Sequence, residues 1–322
     1  RTVGAKLEPT LDAVGVGNAI VDVIATVPDD FIAAHDLMKG AMTLIDAERA
    51  TTLYAAMPPG IEASGGSAAN TIAGLANFGG RVGYIGKVRA DQLGDVFIHD
   101  LRSAGVGFDV PPADEGEPTA RCLIQVTPDA ERTMNTFLGI SAFLEADDVD
   151  AALVESAAVT YCEGYLWDRE DAKRAIRHAM DIARSADRMV SMTLSDSFCV
   201  DRHRAEWLDL LDDKVDLLFA NESEVCSLFE TDDFDAARDQ IADMVDLCAL
   251  TRSAKGSVVV RGDDVHVVPA SAVDEVVDAT GAGDLYASGF LHGLATGASL
   301  DRCAELGSLA AGEIISHVGA RP

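Results

Sequence analysis

Between residues 157 and 253 the chain alternates between short apolar runs and amphipathic ones, and this alternation restricts the fold more than any other feature. AAVTYCEG (157–164) reads as a buried strand, REDAKRAIRHAMDIARSA (169–186) as an amphipathic helix, and RMVSMTLS (188–195) as a second strand. A helix over 203–212, the strand VDLLFAN (215–221), a helix from Glu222 and the strand DLCALTRS (246–253) continue the rhythm. Strands separated by helices pair side by side in parallel and are covered by helices on both faces. The expected fold class is therefore α/β, with a mostly parallel central sheet. In such sheets ligands collect beyond the carboxyl ends of the strands.

The rest of the chain extends this pattern. LDAVGVGNAIVDVIATV (11–27) reads as a buried strand running into a second extended segment. GSAANTIAGLANFG (66–79) reads as a helix capped by Ser67 and stopped by Gly79, RVGYIGKV (81–88) as a strand, and DQLGDVFIHDLRSAG (91–105) as a helix. PTARCLIQVTPDAERTMNTF (118–137) alternates like a hairpin turning at TPDAE, and GSVVVRGDDVHVVPA (256–270) like one turning at GDD. Helices over 282–296 and 299–317 close the chain. Two segments, about 20–46 and 106–138, interrupt the β-α rhythm and are expected to form a small accessory sheet, a lid on a single domain spanning 1–322. There is no internal repeat and no Pro/Gly/Ser-rich linker.

Charge narrows the function. The chain has 54 acidic against 25 basic residues and a formal net charge of −29. A surface this negative repels phosphate backbones and anionic bilayers, and no basic stripe offsets it, so nucleic-acid and membrane partners are not expected. Six scattered cysteines without a CxxC pair argue against zinc or redox chemistry and read as buried free thiols of a reducing cytoplasm.

Five short stretches carry the candidate chemistry. In DATGAGDLYASGF (278–290), Gly281, Ala282 and Gly283 let backbone amides approach a ligand at the start of a helix, where the helix dipole favours an anion, and VDEVVDATGAGD reads as leaving a strand. Asp284 adds a carboxylate beside that pocket. An anion hole next to a carboxylate suits phosphoryl transfer to a hydroxyl: the carboxylate takes the proton, and the amides stabilise charge on the transferred group. An ordinary loop entering a helix with an early acid fits the segment equally well. GGSAAN (65–70) offers Gly65, Gly66 and the amide of Asn70, and GNAIVD (17–22) offers Asn18 and Asp22 just after a strand. FANESEV (219–225) places Asn221 and Glu224 at a helix start, suited either to capping or to orienting hydrated Mg²⁺. LTRSAKG (250–256) places Thr251, Arg252 and Gly256 in a strand–turn–strand that can touch a nucleotide or be a plain hairpin.

These five stretches, in this order and spacing, resemble the ribokinase-like (PfkB-type) sugar and nucleoside kinases over essentially the whole chain. The two most specific matches are GGSAANTIAGLANFGGRVGYIGKVRADQLG and DATGAGDLYASGF. The resemblance implies a three-layer α/β/α domain with a β lid, use of ATP and Mg²⁺, and transfer of the γ-phosphoryl group to a primary hydroxyl. It implies Asp284 as the catalytic base, with Gly281, Ala282 and Gly283 as the anion hole. It places Asn18, Asp22, Gly65, Gly66 and Asn70 on the acceptor's sugar, Asn221 and Glu224 at the metal–phosphate site, and Thr251 and Gly256 by the nucleotide. Arg132 on the lid would swing over the phosphates, and Asp278 matches a position serving a monovalent cation such as K⁺ in some members. EGYLWD, TLSDSF, FANESEV and ERTMNTF look closer to the adenosine kinase branch and its bacterial relatives, so a nucleoside acceptor is expected, with a free sugar as the alternative and a non-catalytic sensor as a further one. Phe137, with Leu138, Phe31 and Leu44, would wall the base. Ala279 departs from the Thr or Asn found in many members. A cytoplasmic enzyme, monomeric or dimeric through its lid, is the resulting expectation.

Overall fold

A computed structural model describes residues 8–129, 131–317 and 319–321. In chain order its strands are β1 (Leu11–Val16), β2 (Ile20–Thr26), β3 (Met42–Leu44), β4 (Ile61–Gly65), β5 (Val82–Ile85), β6 (Val106–Gly107), β7 (Ala120–Val126), β8 (Arg132–Phe137), β9 (Ala157–Glu163), β10 (Met189–Thr193), β11 (Leu217–Asn221), β12 (Leu247–Thr251), β13 (Ser257–Arg261) and β14 (Asp264–Val268). The helices are α1 (Asp29–Ala34), α2 (Ala47–Ala56), α3 (Ser67–Asn77), α4 (Gln92–Ser103), α5 (Ala151–Ser156), α6 (Glu170–Ser185), α7 (Ser197–Lys214), α8 (Glu222–Leu228), α9 (Phe234–Ala242), α10 (Ala282–Ala295) and α11 (Leu300–Ile314).

Nine strands form the large sheet, in the order β14-β13-β12-β11-β10-β9-β1-β5-β6. The seven strands from β12 to β6 run parallel, and the β13–β14 hairpin adds an antiparallel edge. Alternate side chains face two apolar layers, the pattern a sheet buried on both sides requires. On β11, Leu218 and Ala220 join α6, α7, α8 and α9 on one side, while Leu217 and Phe219 meet Phe290 of α10 on the other. This is the expected three-layer architecture.

The second sheet has the order β3-β8-β7-β2-β4. It differs from expectation in two ways. Residues 61–65, between the two anticipated segments, supply strand β4, and residues 106–107 join the large sheet instead. Further local readings are corrected. Ser67 does not cap α3: Gly66, at φ 95°, takes the N-cap position without a side-chain bond. Helix α7 spans 18 residues, longer than 203–212, with a break at His203. Residues 269–280 form a loop where a strand was read. Cys226 is half-buried, while the other five cysteines are buried. The TPDAE turn includes Ala130, which lies outside the described residues. No described helix is long and apolar enough to cross a membrane.

Candidate active site

The site lies where the carboxyl ends of the parallel strands, the amino ends of α3 and α10, and one face of the lid sheet converge. Gly281 enters α10 in the left-handed region (φ 80°, ψ 0°), which turns the chain sharply. Among the described residues the amides of Gly281, Gly283 and Asp284 make no hydrogen bond. They are the orphan donors of a helix start. A Cβ built on Gly283 would meet nothing within 4 Å, so there is open space beside this turn. The same construction on Gly281 would meet Ala320 at 3.0 Å, because the C-terminal tail packs against this loop.

Asp284 lies in the first turn of α10. The Ser67 hydroxyl donates to its Oδ1 at 2.7 Å, and Asn70 Nδ2 donates to its Oδ2 at 3.0 Å. Burial lifts its carboxyl to about 6; the bonds from Ser67 and Asn70 and the charge of Arg321 restrain the rise. The carboxylate therefore sits at a helix mouth, ionised at neutral pH and close to the basicity a proton acceptor needs.

Asp22 projects from β2 toward the same cavity. Burial raises it to about 6 as well, opposed by Arg321 and Arg132. A Cβ on Gly65 would come within 2.5 Å of its Oδ2, so a larger residue there would push this carboxylate aside. A Cβ on Gly66 would meet the Asn18 carbonyl oxygen at 2.5 Å.

Asn18 is held by partners on both sides. Its Nδ2 donates to Glu163 at 2.8 Å, its Oδ1 accepts from Ser141 at 2.7 Å, and its carbonyl accepts from Tyr84. Both ends of the amide are used and the residue is 1% exposed, so in this structure its side chain braces the floor of the site. Glu163, buried and pushed up to about 7 mainly by desolvation, also accepts from the backbone N of Ala68 at 2.9 Å.

Phe137 is misplaced by the sequence reading. Arg132, at the start of β8, donates to Asp278 in the main domain, so the face carrying Arg132, Met134 and Thr136 looks toward the site. Phe137 belongs to the other face. There it pairs with Arg121, whose guanidinium lies 6.0 Å from its ring and donates to Thr51 on α2. The site-facing surface instead carries Cys122, Ile124, Met134 and Ile24, with Leu44 and Met42 at the sheet edge. Leu44 is thus on the expected side, and Phe31 is half-buried and packs against the core.

Asp278 is saturated by donors. Thr280 N reaches Oδ1 at 3.0 Å, Gly319 N reaches Oδ2 at 3.1 Å, and Arg132 adds its guanidinium. Burial opposes ionisation, yet the Thr280 and Gly319 bonds and the Arg132 charge hold its carboxyl below the usual range. A monovalent cation would have to displace these donors, and so the carboxylate as found does not fit one. Arg132 accordingly rests against the loop before α10, bonded also to Thr280.

Asn221 and Glu224 form a reciprocal cap on α8: Glu224 N donates to Asn221 Oδ1, and Asn221 N and Nδ2 donate to the Glu224 carboxylate. Burial raises Glu224 to about 7. Thr251 ends β12 beside Asn221. Gly256 has φ 89°, and a Cβ there would collide with the Val268 carbonyl oxygen, so its glycine serves the β13–β14 hairpin. Arg252 pairs with Glu222 and lies 3.8 Å over the Phe234 ring. Three contributors were not legible as site residues: Ser67, Glu163 and Arg321.

A family model described as pfkB family carbohydrate kinase matches residues 45–322. The chain belongs to the pfkB family of carbohydrate kinases. The crystal structure of adenosine kinase from Sinorhizobium meliloti is 52% identical, with a TM-score of 0.90, covering 99% of this chain and 96% of that one. A probable sugar kinase from Rhizobium etli CFN 42 is also 52% identical, with a TM-score of 0.90, covering 98% and 96%. Adenosine kinase of Saccharomyces cerevisiae is 26% identical over 96% of both chains. The ribokinase-like fold and the kinase class expected from the sequence are both borne out. For this pfkB-family kinase, ATP is a substrate implied by the family, and the unbonded amides of Gly283 and Asp284, beside an open position at Gly283, fit a phosphoryl group. Among the described residues there is no cluster of three or more His, Cys, Asp or Glu residues that could hold a metal ion.

Proposed function

We propose that this kinase phosphorylates the 5′-hydroxyl of adenosine with ATP. One observation supports the reading above others: Asp284 is pinned by Ser67 and Asn70 beside unbonded amides at the mouth of α10. The 52% identity to an adenosine kinase over nearly the full length points the same way. Asp284 accepts the proton of the acceptor hydroxyl as its oxygen bonds to the γ-phosphorus, and the bond from that phosphorus to the bridging oxygen of ADP breaks. The amides of Gly281, Gly283 and Asp284 donate to the transferred phosphoryl oxygens, whose charge spreads in the transition state. Asn221 and Glu224 are the residues suited to orient Mg²⁺ through its waters, and the ion supplies charge neutralisation between the phosphates. Arg132, held beside Thr280, has the reach and charge to move onto the phosphates.

The lid offers a surface suited to a base. Ile24, Ile124 and Met134 form an apolar shelf one residue rank beyond Asp22, Cys122 and Thr136. A purine on this shelf leaves its ribose beside Asp22. A free-sugar acceptor is the second reading, favoured by the equal identity to the probable sugar kinase. The test is turnover by purified enzyme with ATP and Mg²⁺ on a panel of adenosine, other nucleosides, ribose and fructose. Adenosine should give the highest kcat/KM. Turnover of ribose or fructose without adenosine would overturn the nucleoside reading.

A further inference from the structure

Residues 319–321 run across the loop that opens α10 and reach the amino end of α3. Gly319 bonds Asp278, Ala320 packs against Gly281, and Arg321 then reaches across to the amino end of α3. Arg321 Nε donates to Asn70 Oδ1 at 3.0 Å, and its Nη1 donates to Ser64 Oγ at 2.6 Å. Its Nη2 is shielded from solvent and has no partner among the described residues. A buried guanidinium N–H without an acceptor is costly unless a ligand supplies one. The neighbouring charged groups are Asp22, Asp284 and Asp100, with the Tyr84 hydroxyl also close. Asp22 accepts no hydrogen bond from the described residues, whereas Asp284 is held by Ser67 and Asn70, and Asp100 accepts from Ser64 N.

We infer that Arg321 is an acceptor-binding and specificity-determining residue: its free Nη2 donates to a hydroxyl oxygen of the acceptor's vicinal diol, while Asp22 accepts from the same diol. A donor and an acceptor that both lack partners among the described residues, and that lie close enough for their charges to act on one another, match a pair of neighbouring hydroxyls, each of which can donate and accept. A carboxylate or phosphate in the acceptor would meet Asp22 and Asp284, so the recognised group is neutral. Arg321 has a second effect. By donating to Asn70 Oδ1 it fixes which end of that amide faces Asp284, leaving Nδ2 to hold the base. This inference rests on the kinase reading and names a residue for its acceptor selectivity.

The test compares the parent with Arg321→Gln and Arg321→Lys, using adenosine, 2′-deoxyadenosine and 3′-deoxyadenosine. Loss of a charged hydrogen bond to one hydroxyl corresponds to about 10- to 100-fold. Arg321→Gln should raise the KM for adenosine by that factor and leave the KM for ATP unchanged. The parent's preference for adenosine over one deoxy analogue should shrink by about tenfold. Arg321→Lys, keeping one donor, should fall between. A merely structural arginine would lower activity equally on all three acceptors, and that result, or parental discrimination in both variants, would overturn the assignment. The same comparison is run with ribose and 2-deoxyribose. If the parent turns over only the sugars, the nucleoside reading fails, and the Arg321 assignment is judged on that pair.

Discussion

Replacing Asp284 by Asn separates the charge of the base from its shape. In the variant the side-chain oxygen can still accept from Asn70 Nδ2, while its NH₂ meets the Ser67 hydroxyl, which rotates to accept. The hydrogen-bond frame therefore survives. The proton acceptor does not. With the parent carboxyl at about 6, roughly nine molecules in ten carry the charge at pH 7. An amide cannot replace it, and kcat should fall by about 10² to 10⁴. Stability should move the other way. An unstructured aspartate ionises near 3.8 and the folded one near 6, so between these values the folded state holds the proton more tightly. Ionisation then opposes folding as pH rises, by at most about 3 kcal/mol at pH 7. Removing the charge should raise Tm by about 2–5 °C. Coupled ADP-release kinetics and differential scanning calorimetry, run on the same preparation at pH 7.5, read both effects. A rate within tenfold of the parent refutes the role as base. A large loss of rate accompanied by a lowered Tm makes Asp284 a structural pin.

Other consequences follow from the same geometry. At Gly283 a Cβ would meet nothing within 4 Å, so in Gly283→Leu the unfolding free energy should stay within about 1 kcal/mol of the parent while turnover is lost and ATP binding by calorimetry weakens. Asn18→Ala strips a donor from buried Glu163 and an acceptor from Ser141; urea unfolding should show a loss of about 2–4 kcal/mol. Asp22, Glu163 and Asp284 all have carboxyls raised by burial, to about 6, 7 and 6. Their contribution favours the fold below about pH 4 and is lost as pH rises through 6 to 7, so these three groups predict a Tm that falls across that window. Asp22 and Asp284 also influence one another, and kcat/KM should drop below an apparent pKa near 6 that belongs to the pair.

Much of the scaffold was legible because a parallel sheet buried on both faces needs apolar runs that announce themselves. VDLLFAN and DLCALTRS map onto β11 and β12 with errors of one or two residues at the ends. Short or mixed elements were not legible. IEASG, with two intermediate positions and a terminal glycine, carries no strand signature, yet it completes the lid as β4 because β2 offers a free edge. Helix α9, opened by Asp233, passed unread although its cap was present in the sequence. Sites proved harder than elements for a physical reason. Whether a side chain faces a cavity depends on register and on partners far along the chain. Phe137 and Thr136 are neighbours in sequence and lie on opposite faces of the lid. Asn18 is consumed by Glu163, 145 positions away, and Arg321 meets Asn70 across 251. The glycine-rich helix mouth was readable because its chemistry lies within four consecutive residues.

The most direct measurement follows the phosphorus. Incubated with ATP, Mg²⁺ and adenosine and read by ³¹P NMR, the enzyme should yield adenosine 5′-phosphate and ADP in equal amounts, and 5′-deoxyadenosine should yield neither. ADP with only inorganic phosphate, or phosphate attached to a different oxygen, would contradict transfer to a primary hydroxyl deprotonated by Asp284.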